Sequence, residues 1–420
     1  MKYLIQKERT HLFAPSIQIA AMVELKGKIS EDILCDAIQK AIDNNEVFHC
    51  RIVMDETGKA FYETGHSASV VIHKFEGEWE KVVTREEKHL FALQHGDMIR
   101  FFIKEELNIT QLLIIAHHLV GDGLSMTYFI QDILDALNGI PLIYKELKLY
   151  DMKHVPAESK LNPMMGWMLK RVNNKWDKTG KTFHFSDSEN MINKYWSSRK
   201  TSIIAEKVKE DVLFHLERKA KSNHVSVNST LVTAFARAAE ESTEFGIPVS
   251  LRENNNHTMA NLATAISIKY QYNEKQDFWE NARKVHSIIN KKLSNNKSKF
   301  FLTQFMNQLS PTLIDSAYFS AFDGYENEIA ARIRNMFGYV ANPKAINISN
   351  LTRISTKDKD ANYQIADIAF VPPIVPNASC MIGVITYESQ MVITLHLLDN
   401  ELRQQKEDLF KRAITVMKEL

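Results

Sequence analysis

The sequence predicts an α/β (α+β) protein of two halves of similar size, each a mixed β-sheet flanked by helices. Strand-like and helix-like hydrophobic periods alternate from residue 16 onward, a polar stretch at 173–190 interrupts them, and the alternation then restarts. With 420 residues, 45% apolar and 25% charged, the chain can bury a core of that size. The interruption divides it into residues 1–180 and 181–420.

The run "SIQIAAMVEL" at 16–25 reads as a buried strand. The helix after it places Ile33, Leu34, Ala37, Ile38, Ala41 and Ile42 on one face, with Ser30 as N-cap and Glu31 and Asp32 at the positive end of the helix dipole. "FHCRIVMD", "GKAFYET" and "SVVIHKF" are short strands between polar turns. "DMIRFFIKEELNITQLLIIAHH" carries two apolar runs around Leu107 and Asn108, which predicts a hairpin. Beyond it Met126, Ile130, Ile133, Leu134 and Leu137 recur at helical spacing, and "NG" at 138–139 supplies a stop. The stretch "NNKWDKTGKTFHFSDSEN" at 173–190 has no clear period and reads as a linker. Past it, "KVKEDVLFHLERKAKSN", "NSTLVTAFARAAEES" and "DFWENARKVHSIINKKL" are amphipathic helices. "GIPVSLREN", "ATAISIKYQY", "SCMIGVITYES" and "QMVITLHLLD" are strands ahead of a C-terminal helix.

Lys plus Arg number 52 against 51 for Asp plus Glu, so no global field draws the chain to nucleic acid or to an anionic membrane. A small-molecule or protein partner is expected instead. Cys35, Cys50 and Cys380 form no CxxC and leave an odd thiol, which fits a reducing cytoplasm. The N-terminus lacks the apolar core of a secretory signal, and no apolar run approaches the roughly 20 residues of a transmembrane segment.

The segment "AHHLVGDG" at 116–123 concentrates the chemistry. Consecutive strand residues face opposite ways, so His117 and His118 do not suit a single metal ion, and no HExxH or CxxC occurs; no metal is expected. One imidazole would face a cleft as a general base near neutral pH while the other is buried as support. The glycines of "GDG" would relieve backbone crowding and bring N–H groups near a ligand. Read blandly, both histidines are packed residues bonded to backbone carbonyls, and Asp122 belongs to an ordinary turn.

"HHLVGDG" resembles the HHxxxDG signature of thioester-dependent acyltransferases, among them nonribosomal-peptide condensation domains, plant BAHD acyltransferases, alcohol acetyltransferases and polyketide-associated acyltransferases. Weaker likenesses follow in the family's order. "AIDNNEVFHCRI" is similar to a helix and an "RHPxLR"-like segment with Arg51 in the arginine place. "GDMIRFFI" is similar to the "PLxRxxL" strand. "NSTLVTAFARAAEE", "GIPVSLREN" and "ANLATAI" resemble the helix, the "VxLR" strand and the "GN" segment, with Ala260 in place of the glycine before Asn261. The plant motif DFGWG is missing. "NISNLTRIS" carries Ser349 and Asn350, which resemble the "SN" segment of bacterial and fungal relatives.

The resemblance implies two chloramphenicol acetyltransferase-like halves with the active-site channel between them. It implies acyl transfer from acyl-CoA or from a separate acyl carrier protein, the phosphopantetheine thioester being a co-substrate and no cofactor being bound permanently. The acceptor would be a small-molecule hydroxyl or amine. His118 would be the base, with no covalent acyl-enzyme, and His117 its support. Asp122 would point away from the substrate and pair with Arg252, and N–H groups around Gly123 would meet the oxyanion. Ser349 and Asn350 would either contact the thioester or form a self-bonded turn. With both halves assigned, a free-standing enzyme is expected. The alternative is a non-catalytic relative that binds a carrier protein or acylated ligand. A third reading makes Ser125 of "GLSMT" a hydrolase nucleophile, although that segment departs from GxSxG at Thr127. Met164, Met165, Trp167 and Met168 read as gap-filling core rather than as an acyl channel.

Overall fold

The computed structural model describes residues 1–253, 256–339, 345–355, 361–376 and 378–420. A five-stranded sheet runs in the order 365–371, 18–26, 109–117, 99–105, 72–74, antiparallel except for its last pair. A six-stranded sheet runs 263–270, 243–250, 346–354, 380–387, 390–398, 201–208, with 346–354 parallel to both of its neighbours. A small third sheet joins 2–4, 60–64 and 50–54.

The predicted helix after the first strand is Glu31–Asp43, and Ser30 accepts the N–H of Ile33 as its cap. Leu34, Ala37, Ile38, Ala41 and Ile42 are buried, whereas Ile33 stands at the edge of the stripe and is exposed. The hairpin forms as Ile99–Glu105 and Ile109–His117 with Leu107 exposed at its tip.

Two expectations need correction. The polar stretch 173–190 is no linker: Pro163–Asp177 and Phe185–Ser197 are helices with a short connection between them. Their apolar anchors are too sparse to show as a period. Trp176 is buried and donates its indole N–H to Thr312 at 2.8 Å, and Met191, Ile192, Tyr195 and Trp196 form the inner face of the second helix. The Met-rich face is not core either. The first of these helices docks through Leu169 and Trp176 and leaves Met164 and Trp167 77% and 62% exposed.

The division at 180 does not coincide with the sheets. Strand Ile365–Val371 pairs with Gln18–Lys26 and completes the first sheet from far down the chain. It also lies on the second sheet, where the carbonyl of Phe370 accepts the hydroxyl of Thr394 at 2.6 Å. A buried polar cluster joins the same layers: the Glu87 carboxylate takes the hydroxyls of Ser16 and Thr201 and lies 2.9 Å from Nε2 of His396. Gly383 stands where a Cβ would overlap the Phe370 carbonyl and the Thr394 hydroxyl, so glycine is what allows this close approach.

Candidate active site

Strand Ile109–His117 is bonded along both edges, by Gln18–Lys26 and Ile99–Glu105. That fixes where it ends. The N–H of His117 donates to Met98 and that of His118 to Ile17, both at 2.9 Å, and helix Gly123–Leu137 begins five residues later.

The two imidazoles have different surroundings. His117 is buried; its Nδ1 accepts the N–H of Leu119 at 3.2 Å and Phe91 packs on it edge-on. Burial, then the neighbouring His118 and Arg100, push its pKa down to about 3, so it is neutral. His118 is half-buried. Burial holds its pKa below the ordinary 6.5, while hydrogen bonds to backbone carbonyls and the charge of Asp122 pull the other way. An imidazole unprotonated at neutral pH is what a general base requires.

A third imidazole completes the group. His11 stacks on His118 with ring centroids 4.6 Å apart and planes inclined by 27°. The amide nitrogen of Asn261 lies 3.1 Å from Nδ1 of His11 and 3.4 Å from Nδ1 of His118. Burial, then His118, Lys7 and His117, holds the pKa of His11 well below the ordinary value. The short helix Arg9–Leu12 that carries it is pinned to helix Pro311–Phe322. Buried Arg9 forms a two-point ion pair with Asp315 and also reaches the Gly58 carbonyl, and Tyr318 donates its hydroxyl to Thr10.

His11 and Asn261 line a cavity of about 260 Å³ whose walls also include Lys7, Thr264, Met306 and Phe337. Its residues come from both ends of the chain. His118 is not among the residues lining this cavity and adjoins it through the stacked ring of His11 and the side chain of Asn261. His11, Lys7 and the role of Asn261 are absent from the sequence reading. An isolated histidine in "ERTHLF" carries no motif, and the asparagine was visible only as part of a "GN"-like segment.

Asp122 is turned inward. Its Oδ1 accepts the N–H of Ser125 and one Nη of Arg252, each at 2.9 Å, and its Oδ2 accepts the N–H of Leu262 at 2.9 Å. One carboxylate thus caps helix Gly123–Leu137 and holds the segment that delivers Asn261. Arg252 lies two residues beyond the end of strand Thr243–Ser250, not within it, and donates further to the carbonyls of Thr258 and Ala260 at 2.8 Å. Asn254, at the end of the quoted "GIPVSLREN", lies outside the described residues.

Ser125 is fully buried; its hydroxyl donates to the Ala260 carbonyl at 2.9 Å and accepts from Arg252 at 2.6 Å. It belongs to the same clamp, and among the described residues no imidazole meets its oxygen, which removes the basis for a nucleophilic serine. Gly121 and Gly123 are needed for clearance and not for positive φ. A Cβ on Gly121 would overlap the side chain of Ser125, and one on Gly123 would overlap Leu351 and lie 3.1 Å from Phe370. The space on the Cβ side of Gly123 is filled by Leu351 and Phe370, one from each of the two large sheets. Gly123→Ala is expected to destabilise the protein by about 1–3 kcal/mol through overpacking, read as a lower urea midpoint. An unchanged midpoint would mean that Leu351 and Phe370 yield freely.

Ser349 and Asn350 fall on strand Ile346–Ile354, just before Leu351. Ser349 is buried beside Gly383, and Asn350 accepts the N–H of Thr352 at 2.8 Å where the strand's register shifts and Thr352 takes a φ of 64°. Of the two readings left open, Asn350 matches the self-bonded turn. Among the described residues no group of three or more His, Cys, Asp or Glu side chains could hold a metal ion, and no helix is long and apolar enough to cross a membrane.

This geometry places a neutral imidazole beside a cavity, in a loop braced by Arg252 and Leu262 from the second half of the chain. Residues 11–150 match the sequence model of the condensation domain. The hybrid PKS-NRPS synthetase xenE of Xenoacremonium sinensis is 28% identical over 122 residues, which are 28% of this chain and 3% of that protein. The chain thus spans a small fraction of the length of such curated relatives. The structure of polyketide synthase associated protein 5 from Mycobacterium tuberculosis aligns over 99% of this chain and 97% of its own, with a TM-score of 0.63 and 15% identity. The condensation domain of the Monacolin K polyketide synthase MokA aligns over 100% and 97%, with a TM-score of 0.62 and 11% identity. The chain therefore has the chloramphenicol acetyltransferase-like fold of condensation domains along its length and their sequence pattern in its first third. The segment "HHLVGDG" lies within the residues that match the condensation-domain model.

Proposed function

We propose that the protein moves an acyl group from a thioester to a hydroxyl or amine acceptor, with His118 as general base. The single observation that carries this is the half-buried, neutral His118 next to a cavity, on a loop clamped by Asp122 and Arg252. Nε2 can take the acceptor proton in the tautomer that carries its hydrogen on Nδ1, and in that tautomer the amide nitrogen of Asn261, 3.4 Å away, is a packing contact and not a donor to the ring. The acceptor oxygen or nitrogen then bonds to the acyl carbon and the carbon–sulfur bond breaks. The proton held on His118 passes to the departing sulfur. No step needs an acyl-enzyme.

A groove of about 940 Å³ supports a phosphopantetheine-bearing donor, whether coenzyme A or a separate acyl carrier protein. Among the described residues Lys269, Lys292 and Lys297 line it against one carboxylate, that of Glu244, and it shares Leu302 and Phe337 with the His11 cavity. Cations in the lining suit phosphate, and the apolar residues shared with the cavity suit a thin chain passing between the two.

A screen of acyl-CoA donors of graded length, with alcohols and amines as acceptors and free thiol as the readout, tests the proposal. Thiol release that depends on the acceptor, with no acyl adduct by intact mass, is the expected result. A covalent adduct, or inertness across the panel despite binding of pantetheine thioesters, would overturn it.

A further inference from the structure

We infer that the cavity beside His11 holds an acyl acceptor that carries a carboxylate, bound by the ammonium of Lys7. This specifies the acceptor within the acyl-transfer reading and rests on it. Lys7 is the one charged side chain among the described residues lining the cavity, and none of them is acidic. Its Nζ donates to the carbonyl of Asn261 at 2.9 Å, its one hydrogen bond among the described residues, and no ion pair reaches it there. An ammonium has three donors, so two stay available.

Charges close by do not satisfy it. Glu8 and Asp122 favour the charged form of Lys7, yet burial outweighs them and its pKa lies below the ordinary value. Asp122 is already committed to Arg252, Ser125 and Leu262. An ammonium in a desolvated wall is stabilised when an anion enters beside it, because the attraction is screened little there.

The remaining walls indicate what the anion is attached to. Leu302, Met306, Phe337 and Val375 are apolar, while Thr264 and Thr303 add hydroxyls. A volume of about 260 Å³ suits a small amphiphilic acid. Asn261 links the two ends of the site: its main-chain oxygen holds Lys7 and its side chain touches both His11 and His118. A molecule whose carboxylate meets Lys7 while its nucleophile reaches His118 carries the two groups only a few bonds apart. That describes a hydroxy acid or an amino acid.

Matched probes separate the carboxylate from the rest of the molecule: 3-hydroxyoctanoate against 1,3-octanediol, and leucine against leucinol. In calorimetry with the intact protein, at least one acid is expected to bind about tenfold or more tightly than its neutral partner. Lys7→Met should erase that preference without changing affinity for the neutral probe, and Lys7→Arg should keep part of it. Equal binding of both members by the wild type, binding of neither acid, or a preference that survives Lys7→Met would each overturn the inference. The wild-type arm stands even if Lys7→Met does not fold. In turnover, Lys7→Met should raise KM for the acid far more than KM for its neutral partner. A uniform fall in kcat would assign the ammonium to the tetrahedral oxyanion instead and overturn the inference. Calorimetry needs no turnover, so an inert protein that still selects acids would separate failure of the catalytic reading from failure of this one.

Discussion

His118→Ala is expected to lower acceptor-dependent thiol release by about 10³-fold, within the range that a positioned general base contributes, while the circular dichroism spectrum and urea midpoint stay near wild type. The side chain is half-buried, and its hydrogen bonds stay within its own loop apart from the contact with Asn261, so its removal disturbs the fold less than its position would suggest. The stacked partner gives the internal control. His11→Ala removes a ring that orients His118 but takes no proton in the proposed reaction, and a loss of about tenfold or less is expected. If His11→Ala proved the more damaging change, the imidazole that lines the cavity would be the base and the assignment would have to be exchanged. The pH profile adds an independent reading. Because burial lowers the pKa of His118, the unprotonated form persists below 6.5, and kcat/KM should stay level through neutrality and fall only as the pH drops below that value. An acid limb centred above 6.5 would contradict the burial described for this ring.

Arg252→Met is expected to destabilise the protein by about 3–5 kcal/mol, the usual cost of leaving a buried charge without its partner. Both side chains are about 5% exposed, and one guanidinium group ties Asp122, Ser125, Thr258 and Ala260 together. The diagnostic measurement is the double variant. Asp122→Asn with Arg252→Met removes the stranded charge, and its urea midpoint should recover part of the loss, whereas two independent effects would simply add. Activity should not recover with stability, because the segment that delivers Asn261 to the imidazoles is held by the same carboxylate through the N–H of Leu262. A double variant with restored turnover would make the clamp a matter of stability alone.

What the sequence made legible was local. The strand-to-helix transition at 109–137, the helix cap at Ser30 and the hairpin at Leu107 are set by neighbours a few residues apart, and periodicity registers such neighbours directly. The pairing of Asp122 with Arg252 was reachable only through family resemblance, since nothing in spacing joins residues 130 positions apart. Strand Ile365–Val371 escaped for the same reason: its partner lies near the N-terminus, and its burial on two sides removes the alternation that marks a half-buried strand. Helix Pro311–Phe322 escaped because it is buried around most of its circumference, Asp315 and Ser316 included, so polar residues no longer marked an outer face. His11 was invisible because its importance comes from the ring stacked on it.

The strand that runs back from residue 365 makes the molecule behave as a belt fastened through its own buckle. A fragment ending at residue 180 would present Gln18–Lys26 as a bare sheet edge, nine residues long and apolar for most of its length. Such an edge pairs readily with whatever strand it meets, including its own copies. Neither piece would keep the chemistry to itself, since the imidazoles sit on one and Arg252 and Asn261 on the other. Splitting the chain there should yield an aggregating N-terminal piece, and adding the missing stretch in trans should compete with that aggregation.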